Sequence, residues 1–356
     1  VQTLAVLGQV DEAAALARRI RPALVRNDPA AAARLDTNLA NAHLHVGATA
    51  PARSLYERAY RFLVKAERPV EAAHAAFGLA RLYLRSGQPK PSRKWLERSA
   101  DLLAKGPHVV LETYVEATRA ALDLAEGERE RALGDLEELR ARLDGLQDRR
   151  SALELELHTA RLLGALGSPG AALRAAEGAL GKARTLESEL DVGRAALLAA
   201  RAQRGQGAEV DTAYYLRLAS EKTPAERPLW RGRIELERAR IELRAGDMEA
   251  ASKRLRRLQP TLDRHDRREG GATSRMMRAE IELSRGRAGR ARQLLVRARR
   301  DARSSSFQLA RPHMALWIAR ADELRGEGAS AVRWATRAVE ELERELVAWH
   351  ASPLRR

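Results

Sequence analysis

Small and apolar residues recur along the chain in a fixed order. Glycines stand at 8, 47, 87, 127, 167, 207, 246, 286 and 326, each 39 or 40 residues after the last. Seven residues before the second and every later glycine stands an alanine: Ala40, Ala80, Ala120, Ala160, Ala200, Ala239, Ala279 and Ala319. Five residues after each glycine comes Ala13, Ala52, Ser92, Ala132, Ala172, Thr212, Ala251, Ala291 or Ala331, all small. Twelve after it, six of nine are small, the exceptions being Ile20, Leu139 and Leu258. Leucines recur three before the glycine (Leu44, Leu84, Leu124, Leu243, Leu283) and nine after it (Leu96, Leu136, Leu216, Leu255, Leu295). Small residues seven apart lie two turns along one helix face. The glycine between the columns ends a helix in the left-handed conformation at no steric cost. The pattern therefore predicts antiparallel helix pairs in contact through small residues. They span about 1–26, 29–66, 69–105, 108–145, 148–186, 188–222, 227–264, 269–304 and 307–349, each split at its glycine.

A single pair of this kind leaves its apolar face uncovered, so neighbouring pairs must stack. Breaks between pairs fall at Asn27-Asp28-Pro29, Arg68-Pro69, Gly106-Pro107, Thr223-Pro224, Arg227-Pro228 and Gly270-Gly271. The stretch 266–272 is the most loop-like and the expected hinge. No strand pattern occurs. The expected fold is all-α, one solenoid of about nine antiparallel helix pairs over residues 1–356.

The order small, turn glycine, small, small resembles the tetratricopeptide repeat. Leu84-Arg85-Ser86-Gly87-Gln88 and the segment 239–251 read as its motif. The resemblance covers nearly the whole chain and implies a right-handed superhelical solenoid. The period is 40 instead of 34. Forty-residue arrays rich in arginine and alanine are similar to the repeat region of bacterial CHAT (caspase-like peptidase) proteins and to the sensor arms of multidomain transcriptional regulators. The stretch 341–356 resembles the junction between array and peptidase in the first group. That resemblance implies a cytoplasmic signalling scaffold, excised from a larger chain, that regulates a C-terminal peptidase domain packing on Trp349. The first hairpin, with only seven residues before Gly8, is expected to lack most of its first helix.

Charge changes the picture in one region. The chain carries 64 Lys+Arg against 48 Asp+Glu, a formal net charge of +16. Residues 231–311 hold 23 basic and 11 acidic side chains, three quarters of the excess. Arginine outnumbers lysine 57 to 7, and 68 residues are alanine against 14 aromatic ones. No apolar run reaches the length of a membrane span, so no membrane partner is expected.

No reaction centre can be assembled from the sequence, and neither metal nor cofactor is implied. With no cysteine, thiol catalysis and thiolate metal sites are excluded. Gly178-Ala179-Leu180-Gly181-Lys182 lacks the preceding strand and the following Ser/Thr of a phosphate loop. His43 and His45 point to different helix faces. His74 and His313 share a repeat position. Tyr214, Tyr215 and the tryptophans fit core and inter-repeat packing. An enzyme is not expected within this chain.

What remains is a binding face. In stacked hairpins the first helices line the concave side. Six before the glycine stand Asn41, Arg81, Ala121, Arg161, Arg201, Arg240, Glu280 and Arg320; thirteen before stand Arg34, His74, Tyr114, Glu154, Arg194, Arg233, Thr273 and His313. Arg194 with Arg201, and Arg233 with Arg240 and Arg244, form rows on single helix faces. Guanidinium groups bind carboxylates and phosphates in bidentate fashion. The expected partner-binding set is Arg34, Asn41, Arg81, Arg161, Arg194, Arg201, Arg233, Arg240, Arg244 and Arg320, and the expected partner is a protein or peptide of acidic character. The tetratricopeptide carboxylate clamp is not reproduced, since its lysines are missing. The alternative is nucleic-acid binding through 231–311, with Arg254, Arg256, Arg257, Arg264, Arg267, Arg268, Arg297, Arg299, Arg300 and Arg303 on second helices and loops.

Overall fold

The computed structural model describes residues 10–45, 48–86, 88–126, 128–143, 148–165, 167–302 and 310–350. Among them there is no strand. The helices are α1 (Val10–Asn27), α2 (Pro29–His45), α3 (Thr49–Lys65), α4 (Pro69–Arg85), α5 (Pro89–Leu103), α6 (Val109–Glu126), α7 (Arg129–Leu143), α8 (Arg149–Ala165) and α9 (Pro169–Thr185). They continue as α10 (Glu189–Gly205), α11 (Glu209–Lys222), α12 (Pro228–Arg244), α13 (Met248–His265), α14 (Ala272–Ser284), α15 (Ala288–Asp301), α16 (Ala310–Glu323) and α17 (Gly328–His350). Even-numbered helices are the first of each pair and odd-numbered ones the second.

Proline opens α2, α4, α5, α9 and α12, where its missing N–H leaves no helical bond unmade. The described turn glycines Gly167, Gly207, Gly246, Gly286 and Gly326 have φ between 72° and 82°. This left-handed conformation lets each chain reverse in two or three residues. Gly8, Gly47, Gly87 and Gly127 lie outside the described residues.

All eight alanines seven before the glycine are buried, as are eight of the nine small residues five after it; Ala331 is half-buried. Where serine replaces alanine in the second helix, its hydroxyl finds a first-helix carbonyl. Ser92 Oγ donates to Ala80 O at 2.7 Å and Ser99 Oγ to Ala73 O at 3.0 Å. Leu96, Leu136, Leu216, Leu255 and Leu295 are all buried beside these contacts.

The chain divides into two compact units, Val1–Leu122 and Asp123–Arg356, the division falling within α6. In the first unit α2–α5 pack around Tyr56, Leu44, Leu63 and Leu79, and Asp36 on α2 is clamped by Arg21 of α1 and Arg58 of α3 at 2.7–3.0 Å. In the second unit the cores are Leu- and Ala-rich between α8 and α13. Met314, Ile318 and Leu295 fill the later one, with Trp317 and Trp334 against it.

The segment expected to be an open hinge is ordered instead. Residues Arg267–Gly271 make a π-helical turn that runs directly into α14. Gln259 Nε2 donates to Gly271 O at 3.4 Å, and Ser274 Oγ donates to Gln259 Oε1 at 2.9 Å. Gly270 lies so close to Leu262 and Asp266 that a side chain there would collide. Two glycines together signalled a break in the sequence; in the fold they permit a tight, hydrogen-bonded approach.

Candidate functional site

Within each unit the first helices of successive pairs touch: α2 with α4, α8 with α10, and α10 with α12. Their outward sides therefore make continuous faces, and the ten residues singled out by repeat position lie on first helices.

In the first unit the face is mixed. Arg34 is exposed and loosely paired, 3.5 Å from Asp28 and 3.8 Å from Glu71. Asn41 Oδ1 accepts a 2.6 Å hydrogen bond from the hydroxyl of buried Tyr56. Arg81 lies over the Phe77 ring at 5.6 Å, and Phe77 meets Tyr114 at 6.1 Å. His74 stands edge-on to His108 at 5.6 Å; burial and that second imidazole hold its pKa below the ordinary value.

The second unit is different, because five of its seven singled-out arginines meet carboxylates, Arg194 and Arg201 reaching those of a neighbouring pair. Arg194 Nη1 and Nη2 donate to both oxygens of Glu154, 40 residues earlier, at 2.7 and 2.9 Å, and Nη1 also reaches Asp191 at 2.7 Å. Arg150 completes that group with a 2.5 Å bond to Asp191. Burial lowers the Arg194 pKa, but the two carboxylates more than offset it, leaving the value raised. Arg233 Nε donates to Asp266 at 2.8 Å and Nη2 lies 3.4 Å from Glu269. The guanidinium groups of Arg194 (5.2 Å) and Arg233 (5.1 Å) both pack on the Trp230 ring.

Arg201 and Arg240 converge on one carboxylate. Glu237 is buried and accepts from Arg201 Nε at 2.8 Å and from Arg240 Nη1 at 2.7–2.8 Å, with Arg204 Nε 3.3 Å away. Burial alone would raise the Glu237 pKa; Arg240, Arg201 and Arg204 overcome it and hold the group at about 2. Arg161 is exposed beside His158, Arg320 is exposed and paired with Glu323 at 2.6 Å, and Arg244 is exposed. The structure thus brings Arg201, Arg240 and Arg244 together, packs both Arg194 and Arg233 against Trp230, and leaves Arg161 and Arg320 apart from them.

Sequence reasoning missed the acidic partners and Arg204. Glu154 sits thirteen before its own glycine, the position Arg194 and Arg233 hold in later repeats; alternation within one column was the available signal. Glu237 occupies a column with no visible regularity, whereas Arg204 stands three before its glycine, where five other repeats carry leucine.

Other candidates resolve as structure. The Gly178–Lys182 stretch is a packing device: buried Glu156 presses on Gly178, and Lys182 Nζ donates to it at 2.6 Å. Tyr215 donates to Glu177 at 2.8 Å, and burial together with that carboxylate pushes its pKa up to about 12. Arg254 pairs with Glu235 and Glu242, and Arg299 is buried against Glu341, so neither is an open cation of the basic block. Arg303, and the side chains of His45, Arg268 and Trp349, lie outside the described residues. No group of described His, Asp or Glu side chains could hold a metal ion, and no described helix is long and apolar enough to cross a membrane.

Solved structures of similar fold cover nearly the whole length of this chain. It is similar to a Rap protein complexed with competence and sporulation factor: TM-score 0.66 and 11% identity over 97% of this chain and 96% of that one. The fold is that of tetratricopeptide-like helical-repeat proteins. It is also similar to the Rap conjugation gene regulator of plasmid pLS20 in complex with the Phr* peptide (TM-score 0.60, 12% identity, 96% of each chain). A third likeness is to aspartyl phosphate phosphatase F from Bacillus subtilis (TM-score 0.57, 10% identity, 95% of this chain and 91% of that one). At these identities the likeness is one of fold. No protein-family model and no curated protein matches the sequence.

Proposed function

We propose that this chain is a non-catalytic interaction module that holds a protein or peptide segment of acidic character along its first helices. The observation that carries the reading is the side-by-side contact of successive first helices within each unit, α2 with α4 in the first and α8, α10 and α12 in the second, which sets guanidinium groups of neighbouring repeats next to one another. Arg34, Asn41 and Arg81 contribute in the first unit, and Arg161, Arg194, Arg201, Arg233, Arg240, Arg244 and Arg320 in the second. Two of the similar solved structures hold a peptide or signalling factor, which supports this choice of ligand class.

The reading extends to regulation of an attached CHAT-type peptidase domain. Its support is an apolar row on α17, where Val332, Val339 and Leu342 are exposed.

A test must avoid the close ion pairs of the second unit. Charge reversal at Arg194 or Arg233 would set carboxylate against carboxylate and damage the fold. The variant Arg34→Glu/Arg81→Glu/Arg161→Glu leaves the pairs of the second unit intact. Random peptides selected on the wild-type chain should be enriched in Asp and Glu. The triple variant should bind the selected peptide about tenfold or more weakly, with an unchanged helical circular dichroism signal. Selection of neutral or basic peptides, or equal binding by the variant, would overturn the reading.

One observation favours a second reading. Lys253, Arg257 and Arg264 on α13, with Arg297 and Arg300 on α15, are exposed and have no carboxylate partner among the described residues. A duplex oligonucleotide bound there should dissociate steeply with added salt. No binding at about 50 mM salt removes this reading.

A further inference from the structure

The ion pairs of the second unit are not evenly balanced. Around Arg194 the charges cancel: Arg150 and Arg194 face Glu154 and Asp191. Around Glu237 they do not. Arg201, Arg204 and Arg240 all approach that single carboxylate, and Arg244 stands close enough to repel Arg204. Adding Arg233 with Asp266 and Glu269 still leaves five guanidinium groups against three carboxylates.

Arg204 carries the cost most visibly. Its Nε is buried and makes no hydrogen bond, although it lies 3.3 Å from Glu237. Its pKa is lowered, first by burial and then by Arg240, Arg244 and Arg201, with Glu237 offsetting only part. A buried donor without an acceptor is expensive, and like charges held together in a half-buried place repel strongly. Yet Arg201, Arg204 and Arg240 each keep 22–27% of the side chain open to solvent, so a ligand can reach them.

We infer that Arg201, Arg204 and Arg240, gathered round Glu237 between α10 and α12, form with Arg244 beside Arg204 a subsite for a pair of adjacent oxyanion groups. Such a ligand supplies the negative charge and the acceptors that Glu237 alone does not. Glu237 fixes the forks of Arg201 and Arg240 in place, and Arg204 and Arg244 turn their remaining donors to the ligand. The inference rests on the acidic-segment reading above and gives that segment its anchoring point. Two sources have the required chemistry: neighbouring carboxylates of an acidic peptide, and linked phosphoryl groups.

The experiment uses the full chain, with inorganic pyrophosphate and tetraglutamate as probes and sodium chloride at matched ionic strength as reference. Thermal unfolding and titration calorimetry are the readouts. Either probe should raise the Tm of the wild type beyond the chloride reference. Arg204→Gln/Arg244→Gln should lose that rise and, without ligand, melt at or above the wild-type Tm, because repulsion has been removed. Arg244→Gln alone, at an exposed position, should weaken binding about fivefold and serves should the double variant fail to fold. If neither probe exceeds the chloride reference, or the glutamine variants bind as the wild type does, the subsite is overturned. Arginine-dependent binding of pyrophosphate without tetraglutamate would support the subsite and count against an acidic peptide as the segment. Capture of the selected peptide by a double variant that has lost pyrophosphate would separate the subsite from the wider module reading.

Discussion

At Gly178 the missing side chain makes room for a carboxylate. The Glu156 head group occupies the place where a Cβ would stand, and Lys182 closes the pair from the same helix. Gly178→Ala should therefore push Glu156 off Lys182 and lower stability by roughly 1–3 kcal/mol, measured by denaturant unfolding. An unchanged midpoint would mean that Glu156 relocates freely. Glu187 presents the opposite case, a side-chain-bearing residue held at φ 50° at the end of α9. Glycine adopts that conformation without strain, so Glu187→Gly should raise the unfolding free energy by about 1 kcal/mol. Thermal unfolding would register it as an upward shift in Tm.

Between helices the contact is alanine on alanine. Ala160 on α8 is buried, as are Ala172 and Ala176 on α9, the helix that α8 packs against. Ala160→Leu should cost roughly 1–3 kcal/mol in equilibrium unfolding. This layer was legible in the sequence because backbone approach admits only small side chains, which leaves a column of Ala, Ser and Thr that no other force would produce. The turn glycines were legible because a positive φ favours glycine, and the leucine columns because buried positions recur at helical spacing. The ion pairs were not. Arg194 and Glu154 are 40 residues apart, and any of several acids on a neighbouring helix could have met that guanidinium. Charge tolerates many partners, whereas close packing tolerates few. The ordered turn at 267–271 was missed because paired glycines mark open loops and close backbone approaches alike.

For the molecule as a whole, a net charge of +16 makes every ionised carboxylate a counterweight. Glu237 is buried among three guanidinium groups. Its folded pKa of about 2 lies below the ordinary 4.5, so the folded chain binds fewer protons there than the unfolded one. The stability it contributes is complete above the ordinary value and is lost as the pH falls through about 2. Glu237→Gln should lower Tm at neutral pH and flatten the decline of Tm between about pH 5 and pH 3, as followed by thermal unfolding. A parallel decline in both proteins would assign the acid sensitivity elsewhere. The Arg194–Glu154 bridge has a consequence of another kind. Arg233 holds the same place in the next repeat as Arg194, and Arg240 the same place as Arg201. An in-frame excision of residues 194–232 would set Arg233 directly after Gly193, opposite Glu154 and Asp191, and bring Arg240 into the slot of Arg201. Recombination at this locus could then shorten the array by one whole step and leave a junction whose charges already match.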